Sequence, residues 1–115
     1  MRADVVDAVR ALSDAAYQRR VWIERRYPHD AFYDDLDMNI HVLYDDCVVL
    51  PDPRSRVGTV LVDGTEVPSL ERLDAVLSPL IQRLGDSPDA IYLADPAWGA
   101  VVEAARTALA AMTTS

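Results

Sequence analysis

Val5, Val9, Leu12, Ala16 and Ile23 recur at helical spacing, with Arg19, Arg20, Arg25 and Arg26 gathered where cations suit a helix C-terminus. Pro28 follows them, so the pattern predicts a first helix over residues 3–26. Phe32, Leu36, Ile40, Leu43 and Cys47 then repeat at steps of four, four, three and four, flanked by Tyr33 and Tyr44. Asp30 stands where an N-cap belongs, and Asp34, Asp37, His41 and Asp45 share the opposite face. As a strand, Met38, Ile40, Val42 and Tyr44 alternate but Leu43 points the wrong way, so the helix accounts for more residues.

The stretch from Leu50 to Val67 admits two readings. Asp52 as N-cap and Pro53 at the first helical position give a short helix with Val57, Val60 and Leu61 on one side. The other reading pairs residues 58–62 with 65–67 through an Asp63-Gly64 hairpin turn. The helix is the preferred reading, because a lone hairpin needs something to pair with or pack on. From Thr65 the spacing of Val67, Leu70, Leu73, Val76, Leu77, Leu80, Ile81 and Leu84 is helical, with Gly85 as the C-terminal cap. Pro79 predicts a kink near residues 75–78 or two abutting helices. Ser87-Pro88-Asp89 and Asp95-Pro96 are two further start signals. The first opens a short helix through Leu93, or else residues 90–94 form a buried strand; the second opens a helix with Trp98, Val102, Ala105, Leu109 and Met112 as its stripe.

The expected fold is therefore mainly α, a compact single-domain bundle of five or six helices over residues 1–115. The alternative is a small α/β arrangement with a hairpin at 58–67 and a strand at 90–94. Composition agrees with a globular chain: half the residues are apolar, 26% are charged, and there are four glycines. No segment has the ~20 uninterrupted apolar residues that cross a bilayer, and no basic, then apolar, leader opens the chain. A cytoplasmic setting is expected, without membrane association.

Charge changes the picture more than composition does. Residues 1–29 hold six Arg against four acids, residues 30–52 hold seven Asp and no Arg or Lys, and the remainder holds five Arg against eight acids. The total of −8 repels nucleic acid and anionic membranes, so a charged partner is expected to be a basic protein. Self-association, with the arginine end of the first helix meeting the acidic stretch of a second copy, is a further possibility raised by the same asymmetry.

Candidate chemistry converges on the acidic stretch. Asp37, His41 and Asp45, at i−4, i and i+4, would offer one divalent ion three ligands, the basis of an alternative reading as a metal-dependent hydrolase or metal sensor. A single imidazole and abundant Asp favour a solvated face that holds a proton on His41. Asp34-Asp35 and Asp45-Asp46 resemble glycosidase pairs, but adjacent residues on a helix point about 100° apart and do not converge. No nucleophile elbow, His-Glu-x-x-His or glycine-rich phosphate loop occurs, so nothing in the pattern recommends an enzyme over a binding module, and no cofactor is expected. Cys47, the lone cysteine, falls on the apolar stripe and reads as packing. Tyr17, Trp22, Tyr27, Phe32, Tyr33 and Tyr44 lie close to the arginines, and an exposed subset with a Trp22–Arg26 edge would suit docking.

His-x-Leu-Tyr-Asp-Asp at His41 to Asp46, Asp-Pro-x-Ser at Asp52 to Ser55 and Tyr-Leu-Ala-x-Pro-x-Trp at Tyr92 to Trp98 resemble a small family of uncharacterised actinobacterial proteins. All eleven basic residues are Arg, in keeping with a GC-rich bacterial gene. The resemblance implies a bacterial cytoplasmic single domain and no particular chemistry. In size and charge the chain is also similar to immunity proteins that neutralise toxins, an analogy of class. The functional expectation is a non-enzymatic protein-binding or accessory module. It engages a basic partner through Asp34, Asp37, His41, Asp45 and Asp46.

Overall fold

Val5, Ala8, Val9 and Leu12 form the buried stripe of the first helix, α1 (Arg2–Ser13), in the computed structural model, which describes residues 2–30, 32–58, 61 and 66–113. The helix does not continue to residue 26 as its periodicity predicts. Asp14 takes an extended conformation and accepts a hydrogen bond from the Tyr17 N–H at 3.0 Å, which makes it the N-cap of a second helix. That helix, α2 (Ala15–Tyr17), widens directly into a π-helical segment, Gln18–Ile23.

The break holds because the carbonyls it exposes all find donors. Ser13 Oγ donates to the Arg10 carbonyl at 2.7 Å, Gln18 Nε2 donates to those of Ala11 and Leu12 at 2.9 Å each, and Arg106 Nε donates to that of Ser13 at 3.1 Å. These are the four terminal carbonyls of α1 that an ended helix leaves without intrahelical partners. Gln18 is fully buried, and its Oε1 accepts from Trp98 Nε1 at 2.9 Å, so one amide joins α1, the π segment and the C-terminal helix. Arg25, at φ 56°, ends the π segment before Pro28 is reached.

The second predicted helix is also shorter than its periodicity. Asp35, not Asp30, is the N-cap, accepting from Met38 N–H at 2.8 Å, and α3 (Leu36–His41) runs on into a π-helical segment, Val42–Asp46. Phe32 and Tyr33 precede it and stack with Tyr27 at centroid distances of 6.1 and 5.8 Å. Val48 follows at φ 51°, a left-handed conformation that a β-branched residue adopts at a cost. Because Val48 is exposed, Val48→Gly removes that strain and little packing; it is expected to stabilise the chain by about 1 kcal/mol. A higher urea midpoint with an unchanged slope would verify it.

Pro53–Arg56 forms a 3₁₀ turn that stops at Arg56, so the short helix predicted beyond it does not form there. Val57 is exposed, Gly58 takes φ 93° and Leu61 is buried, so Val57 and Leu61 do not share a side; Val60 lies outside the described residues. The Asp63-Gly64 turn of the alternative hairpin also lies outside them, while its second arm is replaced from Glu66 by α4 (Glu66–Leu84). This helix continues unbroken through Pro79, in place of the two abutting helices. Pro79 and Ala75, whose carbonyl the proline deprives of a donor, are both exposed, so water can take the missing bond. Gly85, at φ 54°, closes the helix as predicted, its N–H on the Ile81 carbonyl at 2.7 Å.

Residues 90–94 are helical rather than a strand, within α5 (Asp89–Ala94). Ser87 does not cap it, because its hydroxyl donates back to the Leu84 carbonyl. Asp95 accepts from the Ala97 N–H and leads into α6 (Trp98–Thr113). The Arg83 guanidinium beside Asp95 holds that carboxyl low, at about 2.

The long α6 packs against both α1 and α4, and α3 with its π segment covers α1. The core is continuous from Val5 through Leu43, Leu70 and Leu77 to Ala108. Arg2 ties its far end: the guanidinium forks onto Glu66, 3% exposed, and also donates to the Met112 carbonyl at 3.1 Å. Among the described residues there are six α-helices and no strand, so the helical bundle stands and the α/β alternative does not. The radius of gyration, 13.5 Å, is that of a compact chain of this length, about 13–14 Å. No helix among the described residues is long and apolar enough to cross a membrane.

Candidate functional site

Two turns of α3 and its π segment bring Asp37, His41 and Asp45 to one exposed face. His41 Nδ1 lies 2.5 Å from Asp45 Oδ2, and Nε2 lies 3.5 Å from Asp37 Oδ2. Asp46 is exposed beside them. The hydrogen bond to Asp45, then the charge of Asp37, raise the His41 pKa above its ordinary 6.5. Its proton is thus retained to higher pH than in an isolated imidazole.

The geometry does not suit the metal alternative. The two carboxylates sit at opposite edges of the imidazole, one on each nitrogen, so they do not converge on a single ion with either nitrogen as co-ligand. Among the described residues no group of three or more His, Cys, Asp or Glu has an arrangement that could hold a metal.

Asp34 departs from the face that the longer helix would have given it. It lies before the α3 N-cap, half-buried, and its carboxylate accepts from Tyr17 Oη at 2.7 Å, Trp22 Nε1 at 2.9 Å and Asn39 Nδ2 at 2.9 Å. Asp34 is therefore a structural hub between α2 and α3. Burial, followed by the Asp34 hydrogen bond, pushes the Tyr17 hydroxyl well above the usual phenol range. Trp22 is buried edge-on to Trp98, which removes the Trp22–Arg26 docking edge. Cys47 is buried, and burial pushes its thiol up, away from the reactive thiolate.

A groove of about 410 Å³ adjoins the acidic face and was not legible in the helical pattern. Leu36, Ile40, Ile81 and Tyr92 contribute its apolar surface, and Asp37, Asp86 and Asp89 its carboxylates. Asp89 accepts the Leu36 N–H at 3.1 Å, which lashes α5 to the first turn of α3. Burial pushes its carboxyl up, the Leu36 hydrogen bond opposes this, and the charges of Asp35 and Asp37 add to the rise. In the sequence, Gly85 to Asp89 carried only the signals of a helix end and a helix start; the apposition with α3 comes from the tertiary fold.

Most of the described arginines pair elsewhere: Arg2 with Glu66, Arg10 with Asp7, Arg19 and Arg26 with Glu24, Arg54 with Glu71, Arg83 with Asp95 and Arg106 with Glu103. None of these pairs includes Asp37, Asp45, Asp46, Asp86 or Asp89. The consequence for pH can be signed. His41 is charged below its raised pKa and contributes to stability there; as pH rises through that value the contribution is lost and the face becomes more negative. The expected NMR midpoint of His41 lies above 6.5 and falls toward it in Asp45→Asn. An unchanged midpoint in that variant would contradict the assigned hydrogen bond.

The chain belongs to the family Domain of unknown function (DUF7945), whose model matches residues 1–115. This agrees with the resemblance to an uncharacterised family. Neither the curated proteins nor the solved structures give a match.

Proposed function

We propose that this chain is a non-enzymatic protein-binding module that engages a basic partner. The surface is the α3 face of Asp37, His41, Asp45 and Asp46, extended by the groove that Asp86 and Asp89 rim. What carries the reading is the division of charge: most of the described arginines are paired with other acids, while the ion pairs of this face are those of His41. Carboxylates placed beside apolar groove walls can attract a lysine or arginine and also cover its aliphatic stem. Small acidic proteins that neutralise toxins act on basic surfaces in this general manner, so an immunity-like or accessory role in a bacterial cytoplasm is the physiological form this proposal takes.

The test starts from proteins encoded beside this chain's gene, purified with it and measured against it by stopped flow across a salt series. Asp37→Lys with Asp45→Lys is expected to slow association about ten- to a hundredfold at low salt, with the difference shrinking as salt is added. A rate indifferent to both reversals would remove this surface. Binding is also expected to strengthen as pH rises through the His41 titration, and to lose that dependence in His41→Gln.

A further inference from the structure

A second cleft, of about 340 Å³, opens between α1, α2 and the segment leading into α3. Its lining includes Asn39, which follows Asp37 by two positions and so projects about 200° round the helix from it. The cleft is thus separate from the acidic face, and a ligand bound in it does not require that face to have a partner.

Asn39 is only 6% exposed, and both of its amide hydrogens are spent. Nδ2 donates to Asp34 Oδ1 at 2.9 Å and to the Asp35 carbonyl at 2.7 Å; these two acceptors also fix which end of the amide is nitrogen. Among the described residues nothing donates to Asn39 Oδ1. Every fully buried side-chain polar atom described has a partner, so the unpartnered Oδ1 keeps some exposure, and Asn39 is one of the residues that line the cleft. A carbonyl in that position selects for a ligand that brings a donor.

The other lining groups sharpen the selection. Tyr17 Oη donates to Asp34 and Tyr33 Oη to Asp35, so both hydroxyl hydrogens are engaged and the rings remain as walls with Phe32. Asp7 and Asp14 add carboxylates, while the lining Arg10 is turned to Asp7 at 3.4 Å. Acceptors, aromatic walls and negative charge all favour a cation bearing N–H groups, and an anion would find few donors.

We propose that this cleft binds a small organic cation with N–H donors, a guanidinium or a primary alkylammonium, whose hydrogen reaches Asn39 Oδ1. The volume lies at the small end of ligand pockets, which suits one such head group and a short alkyl chain.

The full chain, labelled with ¹⁵N, is titrated at constant ionic strength with propylguanidinium and propylammonium. Tetramethylammonium, which has no N–H, and 1-propanol, which has no charge, are the comparators. The first two are expected to give saturable shifts centred on the Asn39 side-chain amide and the backbone amides of Ala11, Tyr17 and Phe32; propanol should give none and tetramethylammonium markedly less. Tyr33→Ala, at a position 56% exposed, is expected to weaken binding about three- to fivefold. Asp7→Asn, also exposed, should act in the same direction. A glycine-flanked single-arginine peptide separates two sources of the same chemistry: tighter binding than propylguanidinium points to a protein side chain, weaker binding to a free amine. Shifts confined to the surroundings of His41, an equal response to tetramethylammonium, or affinity unaffected by both variants would overturn the assignment.

Discussion

Leucine in place of Gln18 is expected to lower the stability of the fold by about 3–5 kcal/mol, although it preserves most of the volume. Gln18 is fully buried, and its amide serves three groups: it donates to the Ala11 and Leu12 carbonyls and accepts from Trp98 Nε1. Leucine leaves all three without partners in a place that water does not reach. Each such orphan costs about 1–3 kcal/mol, and their sum is a large share of the 5–15 kcal/mol that holds a domain of this size. Trp98→Phe, which orphans Gln18 Oε1 but leaves the amide its two acceptors, should cost less. Urea unfolding followed by tryptophan fluorescence in the leucine variant measures the effect. A loss below about 1 kcal/mol would show that the break after Ser13 is held by something other than this amide.

The same residue explains where the sequence was readable and where it was not. The apolar stripes of α1, α4 and α6 are long and regular, and each appears in the structure as a buried face. Their ends were less legible, because periodicity says which side of a helix is apolar and not whether the backbone continues. Ala16 and Ile23 fit the stripe of α1, yet the chain breaks at Asp14 because local capping and a distant pair, Trp98 and Arg106, supply the hydrogen bonds that the break needs. Asp30 and Asp35 carry the same capping chemistry, and the choice of Asp35 follows from packing: it lets Asp34 meet Tyr17 and Trp22 while Phe32 and Tyr33 stack on Tyr27.

The candidate site divides along the same line. Asp37, His41 and Asp45 are related by helical steps of four, so one short helix suffices to bring them together and the sequence places them correctly. Asp34 depended on a longer helix and is diverted inward. Asp86 and Asp89 reach the groove through the junction of α4 and α5, about fifty residues downstream of α3, which no local pattern encodes. Asn39 is the sharpest case. In the sequence it is a polar residue between Met38 and Ile40; in the fold Asp34 and the Asp35 backbone take both its hydrogens, and among the described residues nothing donates to its carbonyl.

Removing the Arg2 guanidinium is expected to destabilise the chain by a similar amount for an electrostatic reason. Arg2 makes a forked contact with Glu66, whose side chain is 4% exposed, and a further bond to the Met112 carbonyl. The start of α1, the start of α4 and the end of α6 are held by one guanidinium. Arg2→Met keeps much of the aliphatic stem but takes the forked guanidinium away from a buried carboxylate, and breaking one side of such a pair costs about 3–5 kcal/mol. The arginine side chain is 32% exposed, so solvent screening puts the expectation at the lower end of that range. Replacing both partners is the discriminating variant: in Arg2→Met with Glu66→Leu neither charge of the pair remains, and most of the lost stability is expected to return. If the double variant proves no more stable than Arg2→Met alone, the single loss arises from the Met112 contact and helix packing and not from the broken charge pair. Recovery would assign this pair a role in fixing how the three helix ends meet, with a small net contribution to stability.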